Sequence, residues 1–154
     1  MQSLNQQERL LIPFPKKKYK TIYCDPAWNE RGAGKVKRGA DNFLKDGLEV
    51  MEHWGFKYVT NLAWGKDNDG LKNEFGLGYY FRGQHELCLF GVKGKLKPKV
   101  RNESTFILAK KTKHSKKPTR FYEKIERVSH SPMIELFARN TRDGWDSWGD
   151  ELEY

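Results

Sequence analysis

An apolar run that stops at an acid and a proline, Tyr19 to Cys24 followed by Asp25-Pro26, constrains the folding of this chain more than any other feature. Thr21, Ile22 and Tyr23 are β-branched or aromatic and fit a pleated, half-buried strand. Pro26 lacks the N–H that a continued ladder needs, so the strand ends near Cys24 and leaves Asp25 at its carboxyl end. In open α/β sheets, ligands gather beyond the carboxyl ends of the strands.

The rest of the chain alternates strand-like and helix-like patterns. Arg31 to Asp41 is rich in glycine and basic residues and reads as a loop. Asn42 is placed to cap a helix from Phe43 to about His53, with Leu44, Leu48 and Met51 at helical spacing and Gly55 to end it. Phe56 to Trp64 and Glu86 to Val92 read as strands, Phe106 to Leu108 as a short extended piece, and Asp67 to Gly78 as a loop. Pro118 opens a second helix with Phe121, Tyr122, Ile125 and Val128 on one face, and Glu123 and Arg127 are spaced to pair on the other. Pro132 precedes a last strand, Met133 to Ala138, after which the chain turns through Arg139 to Gly144, with Trp145 and Trp148 packing a final loop. Strands separated by helices argue for a three-layer α/β fold with a largely parallel sheet. If the first and last strands run parallel in one sheet, Asp25 and Arg139 line one crevice.

The 154 residues fit a single domain, 1–154, whose residues 1–18 form a basic arm. A formal charge of +9 points to a polyanionic partner, nucleic acid above all, and Arg31, Lys35, Lys37 and Arg38 are the expected phosphate contacts. No apolar run reaches the length of a membrane span and Met1 to Arg9 is polar, so a cytoplasmic protein without a membrane partner is expected. Cys24 and Cys88 lie in apolar runs and read as small buried hydrophobes. His85-Glu86 lacks the helical two-histidine spacing of a zinc site, and no metal is expected.

Asp25-Pro26-Ala27-Trp28 carries a chemistry of its own. The exocyclic amine of a flat base shares its lone pair with the ring and is a poor nucleophile until acceptors hold its N–H groups in a more tetrahedral geometry. Asp25 and a neighbouring main-chain carbonyl supply such acceptors, and Trp28 offers a face for the base to stack on.

Three further blocks follow in order: Arg82-Gly83-Gln84-His85-Glu86-Leu87-Cys88-Leu89-Phe90-Gly91, then His114-Ser115-Lys116-Lys117-Pro118, then Ile134 to Arg139 with Gly144 to Glu151. With the tetrad, they resemble the adenine-N6 methyltransferase family that includes the eukaryotic messenger-RNA writer and small phage and bacterial members. The resemblance covers roughly Tyr19 to Leu152. It implies a Rossmann-like fold that binds S-adenosylmethionine and methylates adenine in nucleic acid, with DNA preferred over RNA because the chain is compact. It further implies that Asp25 and the Pro26 carbonyl accept from the target amine while Trp28 walls the base. Asp25, Lys117, Leu136, Arg139, Asn140, Asp150 and Glu151 would then border the cofactor, Lys117 near its carboxylate and Arg139 and Asn140 near its ribose.

Two departures from the family pattern stand out. Ala27 occupies the place of a second proline, which frees φ there and adds an N–H. The chain also passes from Gly39-Ala40-Asp41 straight to Asn42-Phe43-Leu44, where relatives carry further sequence that includes a core strand. The expected sheet therefore lacks one strand segment, and a homo-oligomer or strand exchange would cover the edge this leaves. Both departures also fit a degenerate member that binds nucleic acid without transferring a methyl group.

Overall fold

The computed structural model describes residues 13–26, 40–66, 80–110 and 117–152. They form two compact units, one from residues 13–26 with 129–152 and one from 40–66, 80–110 and 117–128.

The first unit is built on a parallel sheet of three strands, β1 (Thr21–Cys24), β5 (Met133–Leu136) and β6 (Trp145–Trp148), with β5 in the centre. All four residues of β5 are buried and Ile134 is only 1% exposed. Its Met-Ile-Glu-Leu sequence has no polar-out alternation, as befits a strand covered on both faces. The expected last strand stops two residues early, at Leu136, because Phe137 takes a left-handed backbone with φ of 60°. Trp145 to Trp148, expected in a loop, forms β6 instead. Its pairing continues past the strand end, where the Ala138 N–H donates to the Trp148 carbonyl at 3.0 Å. The charged residue inside β6 is accommodated because Tyr19 Oη and Lys17 Nζ donate to Asp146 Oδ2 at 2.6 and 2.9 Å. Partial burial and then this bond push the Tyr19 phenol up to about 12, and the Tyr19 and Lys17 bonds hold Asp146 below the ordinary carboxylate range.

The second unit holds a mixed sheet in the order β3-β2-β4. Strand β2 (Lys57–Lys66) lies antiparallel to β3 (His85–Val92) and parallel to β4 (Phe106–Ala109). The expectation of a largely parallel sheet thus holds for the first unit, while β3 reverses direction in the second. Helix α1 (Ala40–His53) packs on β2 and β3. It starts at Ala40, two residues before the cap expected at Asn42, since Ala40 and Asp41 themselves suit a first turn. Its end is as the sequence suggests. Gly55 has φ of +76°, its N–H donates to Glu52 O, and the Phe56 N–H reaches back to Met51 O, both at 2.8 Å, which together make a Schellman cap.

Helix α2 (Thr119–Val128) packs on β4 and brings Phe121 against Trp64 and Ile107, the buried core of this unit. Fully burying such a side chain is worth roughly 1.5–3 kcal/mol. The Trp64 and Phe121 rings meet edge to face, and Trp64 Nε1 donates to Ala109 O at 2.9 Å, so the indole is buried with its polar atom satisfied. Arg127 does not serve the expected pair with Glu123 but joins Lys124 on Glu103, at 2.8 and 3.1 Å. Cys24 and Cys88 are free thiols, half-buried in β1 and β3.

Candidate active site

The register of the parallel sheet pairs Cys24 with Leu136 and Leu136 with Trp148, so three strands end level with one another. Whatever follows each strand therefore gathers at one edge: Asp25-Pro26 after β1, Phe137 to Asn140 after β5, and Gly149 to Glu151 after β6. Among the candidates, Leu136 is buried, Pro26 is half-buried, and Asp25, Arg139, Asn140, Asp150 and Glu151 are exposed. Seven of the predicted residues thus share the carboxyl edge of one sheet.

Two backbone features shape that edge. A left-handed aromatic residue such as Phe137 is rare, and strained positions of this kind cluster at binding sites. Gly149 lies so close to the end of β5 that an added Cβ would stand 2.3 Å from Ala138 O, 2.7 Å from Ala138 N and 3.0 Å from Phe137 C. Only glycine allows that approach. The Trp148 ring bridges the two neighbouring segments, edge to face with Phe14 at 5.4 Å and with Phe137 at 5.9 Å.

The polar groups form a set suited to hydroxyls and amines. Arg139 Nε meets Glu151 Oε2 at 3.0 Å, with both side chains about half exposed. Such a pair contributes about 0–1 kcal/mol, so it can yield to a ligand that offers better partners. The carboxylates of Asp150 and Glu151 are acceptors for vicinal hydroxyls. The neighbouring Cys24 thiol is pushed up to about 12, first by burial and then by the charge of Asp25. It therefore stays protonated and is no nucleophile.

Lys117 belongs to the second unit, where Lys117 Nζ meets Glu86 Oε2 at 3.0 Å and Lys66 Nζ meets Glu86 Oε1 at 2.7 Å. Burial opposes the charged form of Glu86. The bond from Lys66, then the charge and bond of Lys117, outweigh it and hold the carboxyl below its ordinary value. Two ammonium groups thus share the carboxylate of Glu86. Lys66 was not singled out from the sequence, where the expected strand stops at Trp64. Phe137, Gly149 and Trp148 were missed as shapers of the site. Gly149 directly before two acids was the only visible signal. Trp28, Arg31, Lys35, Lys37 and Arg38 lie outside the described residues.

Comparison with known proteins gives a consistent result. The MT-A70 family model matches residues 38–151. The chain is 33% identical over 111 residues to a putative N(6)-adenosine-methyltransferase MT-A70-like protein of Medicago truncatula, which takes in 69% of this chain and 18% of that protein. It is 32% identical over 115 residues to the N(6)-adenosine-methyltransferase catalytic subunit METTL3 of Homo sapiens, 70% of this chain and 20% of METTL3. It is also 26% identical over 202 residues to the type II methyltransferase M.MunI of Mycoplasma sp., 97% of this chain and 84% of M.MunI. The chain thus spans about a fifth of the plant and human relatives. The family model begins after Asp25-Pro26, whereas the match to M.MunI is long enough to take in that segment. At 202 aligned positions it also exceeds the 154 residues of the chain, so M.MunI carries sequence for which this chain has no counterpart.

Proposed function

The chain belongs to the MT-A70 family, and from that premise we propose that it transfers a methyl group from S-adenosylmethionine to the N6 amine of adenine in nucleic acid. The observation that carries this reading is the shared register of Cys24, Leu136 and Trp148, which sets Asp25-Pro26 beside Arg139, Asn140, Asp150 and Glu151 at one sheet edge.

When bound, S-adenosylmethionine supplies a methyl group on a sulfonium centre. Asp25 accepts an N–H of the target amine, which localises the nitrogen lone pair, and its charge offsets the positive charge that grows on nitrogen as the new N–C bond forms. The Pro26 carbonyl is the second acceptor and Trp28 the stacking face. Leu136 floors the cofactor site, Arg139, Asn140, Asp150 and Glu151 hold its ribose side, and Lys117 meets its carboxylate. Their shared contribution is alignment, and a misplacement of about 1 Å costs on the order of a hundredfold in rate. A base inside a duplex must first leave the stack.

DNA is proposed over RNA on the compactness of the chain. Arg31, Lys35, Lys37 and Arg38 are assigned to phosphates. Residues 1–154 are taken as one methyltransferase domain of Rossmann-like, three-layer type that lacks one strand segment, and self-association is the proposed cover for the open edge. The excess aligned length of M.MunI supports the missing segment. Among the described residues no helix is long and apolar enough to cross a membrane, and a cytoplasmic location is proposed.

Transfer of tritium from labelled S-adenosylmethionine to DNA and RNA oligonucleotides, with Asp25→Ala in parallel, tests the reading. Label that depends on Asp25, and is greater on DNA, is expected. Absence of Asp25-dependent label on both polymers would leave only the binding reading of the chain.

A further inference from the structure

The connection between β3 and β4 carries a charge run that the proposed reaction does not use. Lys93, Lys95, Lys97, Lys99 and Arg101 occupy every second position of nine residues that hold no acid, in a chain whose 29 cations are otherwise set among 20 acids. All five residues are exposed. The acids that bracket the run are already taken: Glu86, the last before it, by Lys66 and Lys117, and Glu103, the first after it, by Lys124 and Arg127. Two of the lysines fasten the run to the rest of its unit. Lys93 Nζ donates to Trp54 O at 2.8 Å, one residue past the end of α1. The Lys99 N–H donates to Val128 O at 2.9 Å and Lys99 Nζ to Glu126 O, both at the end of α2. Cations suit these carbonyl ends of helices. A carbonyl carries no net charge, so both ammonium groups keep theirs. Capping does not account for Lys95 and Arg101, which pair with no acid among the described residues. Lys97 has a contact of its own.

We propose that this connection is a docking surface for the phosphodiester backbone of nucleic acid, which Lys93, Lys95, Lys99 and Arg101 meet without reading its bases. Lysine and arginine contacts to phosphate gain from the release of counterions and are blind to sequence. Nine residues reach at most about 30 Å, so a single duplex turn of about 34 Å is long enough to meet them all. The two anchors hold the run in place before binding, which lowers the ordering cost. An anionic lipid surface fits less well. It calls for an amphipathic helix with a broad apolar face, whereas this segment is not helical and Leu96 is its one exposed large apolar side chain. The proposal rests on the reading that the chain acts on nucleic acid, and it adds a backbone contact beyond those assigned to Arg31, Lys35, Lys37 and Arg38.

Binding by the full chain without cofactor tests it, by fluorescence anisotropy of labelled duplex DNA, single-stranded DNA and single-stranded RNA across a salt series, each polymer in two unrelated sequences. Removing two cations together, in Lys95→Ala/Arg101→Ala, is expected to lower the slope of log affinity against log salt by about 1.8 on duplex and about 1.4 on either single strand. Between about 50 and 200 mM salt the parent should therefore lose about tenfold more duplex affinity than the variant. The two sequences should respond alike, since phosphate contacts carry no sequence information. Lys45→Ala, which removes a cation paired with Glu49 on α1, should leave the slope in place. Lys95 and Arg101 are exposed, so an unchanged melting temperature will separate lost binding from lost folding. A slope unchanged on all three polymers overturns the proposal, as does an equal fall per charge removed in Lys45→Ala. Weakened binding of the double variant to phosphatidylserine vesicles, with an unaltered slope on nucleic acid, also overturns it, in favour of a membrane partner. A lowered slope in the double variant without any methyl transfer by the parent would overturn only the proposed reaction, and methyl transfer with an unchanged slope only the docking surface.

Discussion

Gly149→Ala isolates the packing that holds the candidate site together. The new Cβ would lie 2.3 Å from Ala138 O, 2.7 Å from Ala138 N and 3.0 Å from Phe137 C, and all three are backbone atoms that no rotamer change can move aside. Relief requires β5 and β6 to part at their carboxyl ends, where the Ala138 N–H bond to Trp148 O closes the pairing. Overpacking of this kind costs about 1–3 kcal/mol. Loss of the bond adds about 1 kcal/mol. The expected total is about 2–4 kcal/mol. An unstrained Gly→Ala change would act in the opposite direction, stabilising by about 0.4–1 kcal/mol through the unfolded chain. Urea unfolding followed by tryptophan fluorescence reads the difference, with Trp145 and Trp148 in the affected strand. The midpoint should fall by roughly 1–2 M. Gly83→Ala, where nothing lies within 4 Å of the added carbon, is the matched comparison and should raise the midpoint by roughly 0.2–0.5 M. A Gly149→Ala protein as stable as the parent, or more so, would refute the close approach and with it the tight edge proposed for the cofactor's ribose.

Other parts of the site respond to pH and charge. The Glu86 carboxyl is held below the ordinary glutamate value of 4.5 in the folded chain, so its contribution to stability is present above that value and is lost as pH falls through the folded pKa. Acid titration of stability should therefore be shallower below about pH 4.5 in Glu86→Gln than in the parent; parallel curves would contradict the lysine–carboxylate cluster. The Cys24 thiol, raised to about 12, should resist iodoacetamide in the folded protein at mildly alkaline pH and react once unfolded. Asp25→Asn removes the second cause of that shift and should speed Cys24 alkylation, whereas an unaltered rate would place Asp25 away from the thiol. By calorimetry, Lys117→Ala should bind S-adenosylmethionine more weakly, and equal affinity would remove Lys117 from the cofactor site.

The parts of this fold that were legible in the sequence are those where local chemistry and tertiary packing agree. The strand before Asp25-Pro26 ends where proline forces it to, and Gly55 ends α1 through a positive φ that favours glycine. Strand β6 was hidden because Trp145 and Trp148, three apart, fall on opposite faces, so no two-residue apolar rhythm marks it. Its Asp146 argues against a strand until Tyr19 and Lys17, far away in sequence, are seen to hold it. Phe137 could not be foreseen in a left-handed conformation, because an aromatic side chain gives no signal for one. The site was legible as residue types but not as geometry. That Asp25, Arg139 and Asp150 share an edge depends on a register set by the burial of β5, which no single segment encodes. The Lys66–Glu86–Lys117 cluster likewise depends on β2 and β3 running antiparallel, a direction the apolar runs do not specify.

The central claim is that the carboxyl edge of the parallel sheet delivers a methyl group to one nitrogen of adenine. Mass-spectrometric nucleoside analysis of DNA and RNA incubated with the protein and S-adenosylmethionine tests it most directly. The expected result is N6-methylated adenine nucleoside that accumulates with the parent chain and falls at least a hundredfold, on the order expected for lost alignment, with Asp25→Ala. Methylation at another atom, or N6 methylation that Asp25→Ala leaves unchanged, would contradict it.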